Sequence, residues 1–437
     1  MRLLVTESDF LTQTPSGEEE FRAFARAEVA LGPEARLRAS VGWLDHGFRF
    51  PLPAAAAAYD GGPGEYFDQP NQRLDADAHA RLTLAPALSL TIGGSLNRNA
   101  LDRTTWKVDN WRDFDSRTTA TGASVGTTWN VAAYAEAQWL AAHWLTVYAG
   151  ARYDRFTTQG SVAQATPPAF EREYPRRSQD QVSPKLAAVA TLAPEATLRL
   201  SYGEGFRAPT LLDLYSRAVT PGATAGVPVV TEPSPNLGAE RVRSFEIGVD
   251  ATLPTRTRAA VSLFAQRLGD LIYRQRLTPV LNVVTNAGEA RIEGVEVEVA
   301  QPLLDGKLRL TATATHLFRY DITRNDAVPA SVGKRLTDVP RSLYAIGLEG
   351  AAHGWSGSLA WRYASHVFGS GDDQNRNTVQ GVFGAYDRYG VVSLKLGREL
   401  APGLVASIAV DNLANAEYFQ FYRQPGRSVW LELAWRR

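Results

Sequence analysis

The sequence predicts an all-β protein, an antiparallel transmembrane β-barrel with about 18 strands present, brief turns on one side and long loops on the other. The first observation behind this is connection length. Segments of alternating apolar and polar residues join pairwise through tight turns at Leu31-Gly32-Pro33-Glu34, Ala85-Pro86-Ala87, Ala193-Pro194-Glu195, Leu253-Pro254-Thr255, Asp305-Gly306, His353-Gly354 and Ala401-Pro402-Gly403. Between those hairpins lie polar, aromatic and Arg-rich stretches such as 45–72, 155–182 and 206–240, longer than compact domains usually leave without structure. Short periplasmic turns alternating with long extracellular loops are the connection pattern of an outer-membrane barrel. The second observation is a period of two along the strands, which sends successive side chains to opposite faces. The third is that no apolar run is long enough for a membrane-spanning helix.

A first candidate strand lies near 1–8, and two more, near 20–30 and 35–44, flank the Gly32-Pro33 turn. The next pair, 73–85 and 87–97, turns at Pro86, whose fixed φ and missing N–H suit a turn better than a central strand. In the pair 130–140 and 143–154, Leu145, Val147, Ala149 and Ala151 alternate with Thr146, Tyr148, Gly150 and Arg152. Strands 183–192 and 196–205 meet at Pro194. Across Pro254 lie 241–252 and 256–267, the first placing Phe245, Ile247, Val249 and Ala251 on one face and Glu246, Gly248, Asp250 and Thr252 on the other. Strands 290–300 and 306–318 follow. There Val295, Val297 and Val299 oppose Glu296 and Glu298, and Leu308, Leu310, Ala312 and Ala314 oppose Arg309, Thr311, Thr313 and Thr315. The pairs 340–350 with 355–364 and 388–398 with 403–412 come next, and 428–437 ends the chain. One face of each strand fits hydrocarbon and the other fits water. A soluble sandwich or propeller also alternates, but rarely joins so many segments only through neighbouring hairpins.

The 437 residues exceed one ordinary globular domain, although a large barrel uses such a length as a single unit. Basic and acidic residues balance at 46 each, so no net field points to nucleic acid, and a monomer is expected. With no cysteine there is no disulfide framework, thiolate metal site or thiol nucleophile. Ten Trp and sixteen Tyr, many near segment ends as at Trp43, Trp139, Trp144, Tyr153, Trp355 and Trp435, suit aromatic girdles at two interfaces.

Signals of catalysis are poor. Gly122-Ala123-Ser124-Val125-Gly126 matches a nucleophile-elbow pattern, but that device needs a helix after its serine, and the segment reads as a Thr-rich polar loop. The six His residues show no H-E-x-x-H and no close pairing. Asp373, Asn375 and Asn377 begin like a calcium loop, yet Thr378 stands where Gly is required and Gly384 where the bidentate Glu belongs. No catalytic residue, cofactor or metal site is expected, and the chain does not read as an enzyme.

Gly205-Phe206-Arg207-Ala208-Pro209-Thr210, followed by Leu214-Tyr215, Pro235-Asn236-Leu237 and Glu240, resembles the mid-barrel signature of TonB-dependent outer-membrane receptors. Further matches in that family's order are Tyr153-Asp154, Ser183-Pro184-Lys185, Asn286-Ala287-Gly288, Gly294-Val295-Glu296, Pro340-Arg341, and Val410-Asp411-Asn412-Leu413 with Asn415 and Tyr418. The resemblance covers the chain from about Val131 onward, and earlier residues fit by strand pattern alone. It implies TonB-energised uptake, across the Gram-negative outer membrane, of a scarce large ligand such as a ferric siderophore or a corrinoid. Family members carry a signal peptide, a TonB-contacting box, a plug domain and then a multi-pass barrel of about 22 strands. Met1–Val5 is too short an apolar run for a secretory signal. Residues 1–437 are therefore expected to be a partial barrel with no plug domain, engaging TonB only where the missing N-terminal region is present. The ending Trp435-Arg436-Arg437 departs from the aromatic last residue usual in the family. Phe206, Arg207, Ala208, Pro209, Tyr215, Pro235, Asn236, Leu237, Glu240, Asp411, Asn412 and Leu413, which carry the resemblance, are expected to be structural; at the first of these motifs a strand enters a folded loop and Pro209 removes a donor.

Hairpin parity places each long connection outside the cell, where specificity must lie. The candidates for ligand contact are Tyr66, Phe67, Tyr174, Arg176, Arg177, Tyr215, Arg217, Arg376, Tyr386, Tyr422 and Arg423. Arginine forks meet carboxylate or phosphate bidentately, and aromatic faces pack on a metal chelate or corrin ring. Outer-membrane lipid and lipopolysaccharide phosphates are the other partners expected for such arginines. The alternative function is a passive pore or surface-binding barrel, since an unplugged barrel of this size leaves an aqueous channel.

Overall fold

Alternation punctuated by proline and glycine folds into one large antiparallel sheet in the computed structural model, which describes residues 16–54, 61–221, 228–369 and 372–435. The strands are β1 (Gly17–Gly32), β2 (Ala35–Pro53), β3 (Gly64–Ala85), β4 (Leu88–Val108), β5 (Arg117–Ala142), β6 (Leu145–Gln164), β7 (Phe170–Ala193) and β8 (Ala196–Arg207). A one-turn helix α1 (Leu211–Tyr215) and the short strands β9 (Ala218–Pro221) and β10 (Pro228–Thr231) follow. The sheet resumes with β11 (Glu240–Thr252), β12 (Arg258–Thr278), β13 (Leu281–Leu303), β14 (Leu308–Asn325), β15 (Ser342–Ala352), β16 (Trp355–Ala364), β17 (Tyr389–Ala401) and β18 (Leu404–Asp411). The two-residue strands β19 (Phe419–Gln420) and β20 (Tyr422–Arg423) precede the last one, β21 (Ser428–Trp435).

Each long strand pairs antiparallel with the next, β8 joining β11 and β18 joining β21 across the connections between them. Among the described residues β1 pairs with β2 alone and β21 with β18 alone, so the sheet has two end strands. Every expected strand from 20–30 onward has its counterpart here, while the one at 1–8 lies outside the described residues. The turns fall where proline and glycine put them. At one, His353 (φ 52) and Gly354 (φ 74) are both left-handed, the conformation a two-residue hairpin requires.

Three expectations need correction. The stretches 45–72 and 155–182 are mostly strand, because β2 runs on to Pro53 before β3 begins at Gly64, and β6 reaches Gln164 before β7 begins at Phe170. Their backbones find partners in each other, and Phe50 opposite Phe67 adds a stacked cross-strand pair at 6.5 Å. Likewise β12 and β13 turn over at 278–281, so the long side of the sheet carries one tight hairpin. The Gly122–Gly126 segment is no loop either; it lies inside β5 with strand on both sides.

The two faces differ in chemistry and curvature. On the polar face Tyr134 of β5 donates to Asp77 of β3 at 2.8 Å, and Arg152 of β6 donates to Ser95 of β4 at 2.7 Å, each reaching over an intervening strand. Side chains converge in that way on a concave surface, which identifies the lumen. Pairs such as Arg73–Asp75 at 2.6 Å, Arg152–Asp154 at 2.9 Å and Arg199–Asp250 at 2.6 Å line it. The outer face carries Phe245, Ile247, Val249, Leu263 and Val261, all exposed, and apolar surface on that scale requires a hydrocarbon neighbour. Little core exists between layers. The buried clusters sit instead at the long-connection end, around Tyr215 and around Trp111.

Candidate functional site

The described parts of the connection after β8, 208–221 and 228–239, fold back over the inner wall, for reasons readable residue by residue. Thr210 caps α1: its Oγ1 accepts from the Asp213 amide at 3.1 Å while the Asp213 carboxylate accepts from the Thr210 amide at 3.0 Å, a capping box that nucleates a helix of one turn. The helix presses Tyr215 against β5 and β6 at two glycines. A Cβ on Gly126 would lie 2.8 Å, and one on Gly160 2.7 Å, from the Tyr215 ring. Tyr215 is 1% exposed, 2.7 Å from the Thr158 hydroxyl, and packs with Val162, Leu214 and Leu237. Tyr215 is thus corrected from ligand contact to packing, since its ring has no surface to offer.

Other candidates in this region fasten the same strap. The Arg177 guanidinium donates to the Pro235 carbonyl and the Asn236 side chain, both at 2.7 Å. Gln179 donates to the Leu237 carbonyl at 2.7 Å, and Asn286 exchanges hydrogen bonds with Gly238. The Arg217 side chain, 4% exposed, reaches Glu232 at 3.3 Å, Gln164 at 2.6 Å and the Pro168 carbonyl at 3.0 Å, and lies over Phe170. Tyr174 sits 5.6 Å from the Tyr215 ring, while Arg176 stays exposed on β7. Arg207, at the end of β8 beside Phe206 and Ala208, pairs with Glu240, which also accepts from the Ile272 amide at 2.8 Å; Pro209 is buried.

A second buried group holds the β2–β3 and β4–β5 region. Tyr66 is 2% exposed and packs on Val108, Trp111 and Phe114, so it too is packing and not an open contact. Phe67 is sandwiched between Phe50 and the Arg103 guanidinium, 4.2 Å from its ring centre.

Apart from Arg176 on β7, the exposed candidates gather in the last two long connections. Phe421, at the tip of the β19–β20 turn, holds φ at +64, a strained conformation for an aromatic residue. Two backbone hydrogen bonds keep it there, Gly384 N to Phe421 O and Phe421 N to Ala385 O, both 2.8 Å. Its ring meets Phe383 at 5.1 Å, Tyr422 at 4.9 Å and Tyr386 at 6.2 Å. Tyr422 is 46% exposed, and its neighbour Arg423 pairs with Glu417 at 2.8 Å. Arg376 is exposed, its amide donating to Asp372. Phe383 and Phe421 were not legible as members of this patch, since nothing local in the sequence joins two connections. Below it, Asn412 (φ +50, 2% exposed) bonds its side chain to both backbone groups of Ala416, the Leu413 amide donates to Val392, and Asp411 meets Arg362 at 3.3 Å.

Chemically, this surface presents aromatic rings beside the Arg423–Glu417 ion pair. Ser124 lies mid-strand, with no helix to present it. The Asp372 carboxylate accepts the Arg376 and Asn377 amides, and Asn375 is spent on Arg335, so the calcium-like run is a set of backbone turns. Among the described residues no three acidic or imidazole groups converge on a metal position. Burial, with Asp372 and Asp338 nearby, pushes the Asp373 carboxyl above its ordinary range. Burial and Arg335 push the His366 imidazole down.

Several solved structures share this architecture. The ferric yersiniabactin uptake receptor FyuA from Yersinia pestis is 16% identical, with a TM-score of 0.72 over 95% of this chain and 60% of its own. The ferric citrate transporter FecA is 12% identical, with a TM-score of 0.75 over 96% of this chain and 62% of its own. The copper transporter OprC is 17% identical, with a TM-score of 0.74 over 96% and 65%. The chain thus spans less than two thirds of these proteins, and at such identities they speak to fold alone. No curated protein matches. The family profile described as TonB dependent receptor-like, beta-barrel matches residues 6–413, and with nearly the whole sheet inside that match the chain belongs to the TonB-dependent receptor β-barrel family.

Proposed function

We propose that this chain is the barrel portion of an outer-membrane receptor that takes up a scarce metal chelate, in the first instance a ferric siderophore, with energy supplied through TonB. The observation that carries this reading is the division of labour along one sheet. An apolar outer face suits lipid, a lumen lined by paired charges stays wet, and an exposed aromatic patch with arginines nearby stands at the long-connection end. FyuA and FecA, named for ferric chelates, share the fold, while OprC, named for copper, keeps the metal open. A corrinoid remains an outcome of the test. The chain would act as a monomer in the outer membrane, with its long connections outside the cell.

The test is to delete the coding sequence in its own host and measure growth on single ferric siderophores, copper and cobalamin, each with and without TonB. Loss of TonB-dependent growth on one ferric chelate is expected. Unchanged growth on all of them, with altered leakage of small solutes instead, would favour a passive pore.

A further inference from the structure

Phe383, Phe421 and Tyr422 stand together as a cup. Their ring centres lie 5.1 Å (Phe383 to Phe421), 4.9 Å (Phe421 to Tyr422) and 5.7 Å (Phe383 to Tyr422) apart, at interplanar angles of 68°, 76° and 51°, so the rings are inclined to one another as walls rather than stacked. Each keeps more than a third of its surface in solvent, 39%, 38% and 46%, whereas Tyr215 and Tyr66, which do pack, are 1% and 2% exposed. Rings that met only to leave water would be buried as those two are. A contiguous exposed patch of this kind marks a binding surface.

The cup is held by strain. Phe421 sits at φ +64, where glycine or asparagine rests easily and a bulky residue persists only if its surroundings over-determine it. They do so here. Gly384 and Ala385 engage both of its backbone groups, Tyr386 and Gln420 form a β-bridge beside it, and the buried Asp387 carboxylate accepts the Phe419 and Gly381 amides at 2.9 Å each. Two connections are thereby stitched into one rim, and rings fixed in advance lose little freedom when a rigid guest arrives.

That rim has no net charge. Residues 365–388 and 412–427 hold four carboxylates and four arginines, so acids cancel bases. Arg423 is paired with Glu417 at 2.8 Å, and Arg177 and Arg217 are engaged in the strap. A chelate built from several carboxylates would meet no positive field here, whereas an aryl ring would meet faces and edges of its own kind.

We infer that the cup receives an aryl group of a ferric chelate of low net charge, and that Phe421 is the residue that sets this preference. The inference rests on the uptake reading above and narrows it to one chemical class, against aryl-free carboxylate and hydroxamate chelates.

The experiment titrates the full chain, refolded into phosphatidylcholine vesicles, with four radioiron chelates and measures iron retained beyond that on protein-free vesicles. The ligands are a 2-hydroxyphenylthiazoline (aryl, low charge), a tris-catecholate (aryl, trianionic), citrate (aryl-free, anionic) and ferrioxamine B (aryl-free, low charge). The first is expected to bind tightest, with citrate and ferrioxamine B about tenfold weaker, the scale of one aromatic contact. Its binding should not change between low and physiological salt, because no net charge is engaged. Phe421→Asn, which suits the left-handed turn, should bind the aryl chelate about tenfold more weakly while keeping or increasing hydrogen-exchange protection at 419–423. A ring needed only for packing would lose that protection instead. Phe383→Leu, outside the strained turn, should weaken the aryl chelate as well and leave ferrioxamine B unchanged. Citrate or ferrioxamine B binding as tightly as the aryl chelate, undiminished aryl binding in Phe421→Asn, or loss of protection in that variant overturns the proposal. A tris-catecholate that binds tightest overturns the assignment of low charge. A wild-type chain that retains none of the four would instead fault the uptake reading, and the aryl site with it.

Discussion

Glycine 160 shows how much one missing methyl group can decide. Its absent side chain lets the Tyr215 ring lie on β6, and the ring in turn seats α1 and the strap behind it. A Cβ at Gly160 itself would also meet the Val125 carbonyl of β5 at 2.6 Å, so the cleaner probe is Gly126→Ala at its cross-strand partner, which places a carbon 2.8 Å from that ring and from Leu211 with no sheet backbone as close; overpacking of this kind costs about 1–3 kcal/mol. We expect faster hydrogen exchange and proteolysis across 208–239 with the rest of the sheet unaffected; unaltered protection there would mean the ring is not the anchor. Two titrating groups in the connection between β16 and β17 act in opposite senses. Asp373 binds its proton more tightly in the folded connection, so its contribution is present at low pH and lost as pH rises through its raised folded value. His366 is held below its ordinary value, so its contribution is present above that value and lost as pH falls through the depressed one. Asp373→Asn should therefore slow exchange in 365–388 at neutral pH and leave only the histidine's loss on acidification. Equal exchange in both proteins at neutral pH would contradict the burial of that carboxyl.

At the scale of elements, the period of two carried the strands and the Pro-Gly punctuation carried the turns. What it missed was where strands stop. Pairing continues beyond the membrane level in β2, β3, β6 and β7 because a polar segment can satisfy its backbone with a neighbour as well as with water, and composition does not tell the two apart. The capping box of α1 was written in Thr210 and Asp213, but its partner glycines lie some 50 and 85 residues upstream, and no local pattern links them. The face assignment can be tested on adjacent residues of β13. Val297→Arg on the outer face should cost about 2–4 kcal/mol near the midplane, whereas Glu298→Arg on the lumen face should cost a small fraction of that. Refolding titrations into lipid vesicles measure both, and equal penalties would reject the assignment of faces.

The whole molecule is polarised along its strands. The tight turns at Gly32, Pro86, Pro194, Pro254, Gly306, Gly354 and Gly403 lie at one end; the strap 208–239 and the aromatic patch lie at the other, because antiparallel pairing returns every second connection to the same side. That polarity was legible from connection length, whereas the convergence of Phe383 and Phe421 was not, since it depends on two connections folding over the same mouth. The chain contains no cysteine, so a single introduced thiol reports its own side of the membrane. Asn377→Cys in the connection after β16 and Ala401→Cys at the turn after β17 lie at opposite ends of one strand, and both positions are exposed. With the chain in the outer membrane of intact cells, an impermeant maleimide should label position 377 and spare 401, and both should react once the cells are opened. A reversed pattern would put the aromatic patch in the periplasm, where it could meet no external ligand, and would remove the basis for uptake while leaving the sheet itself intact.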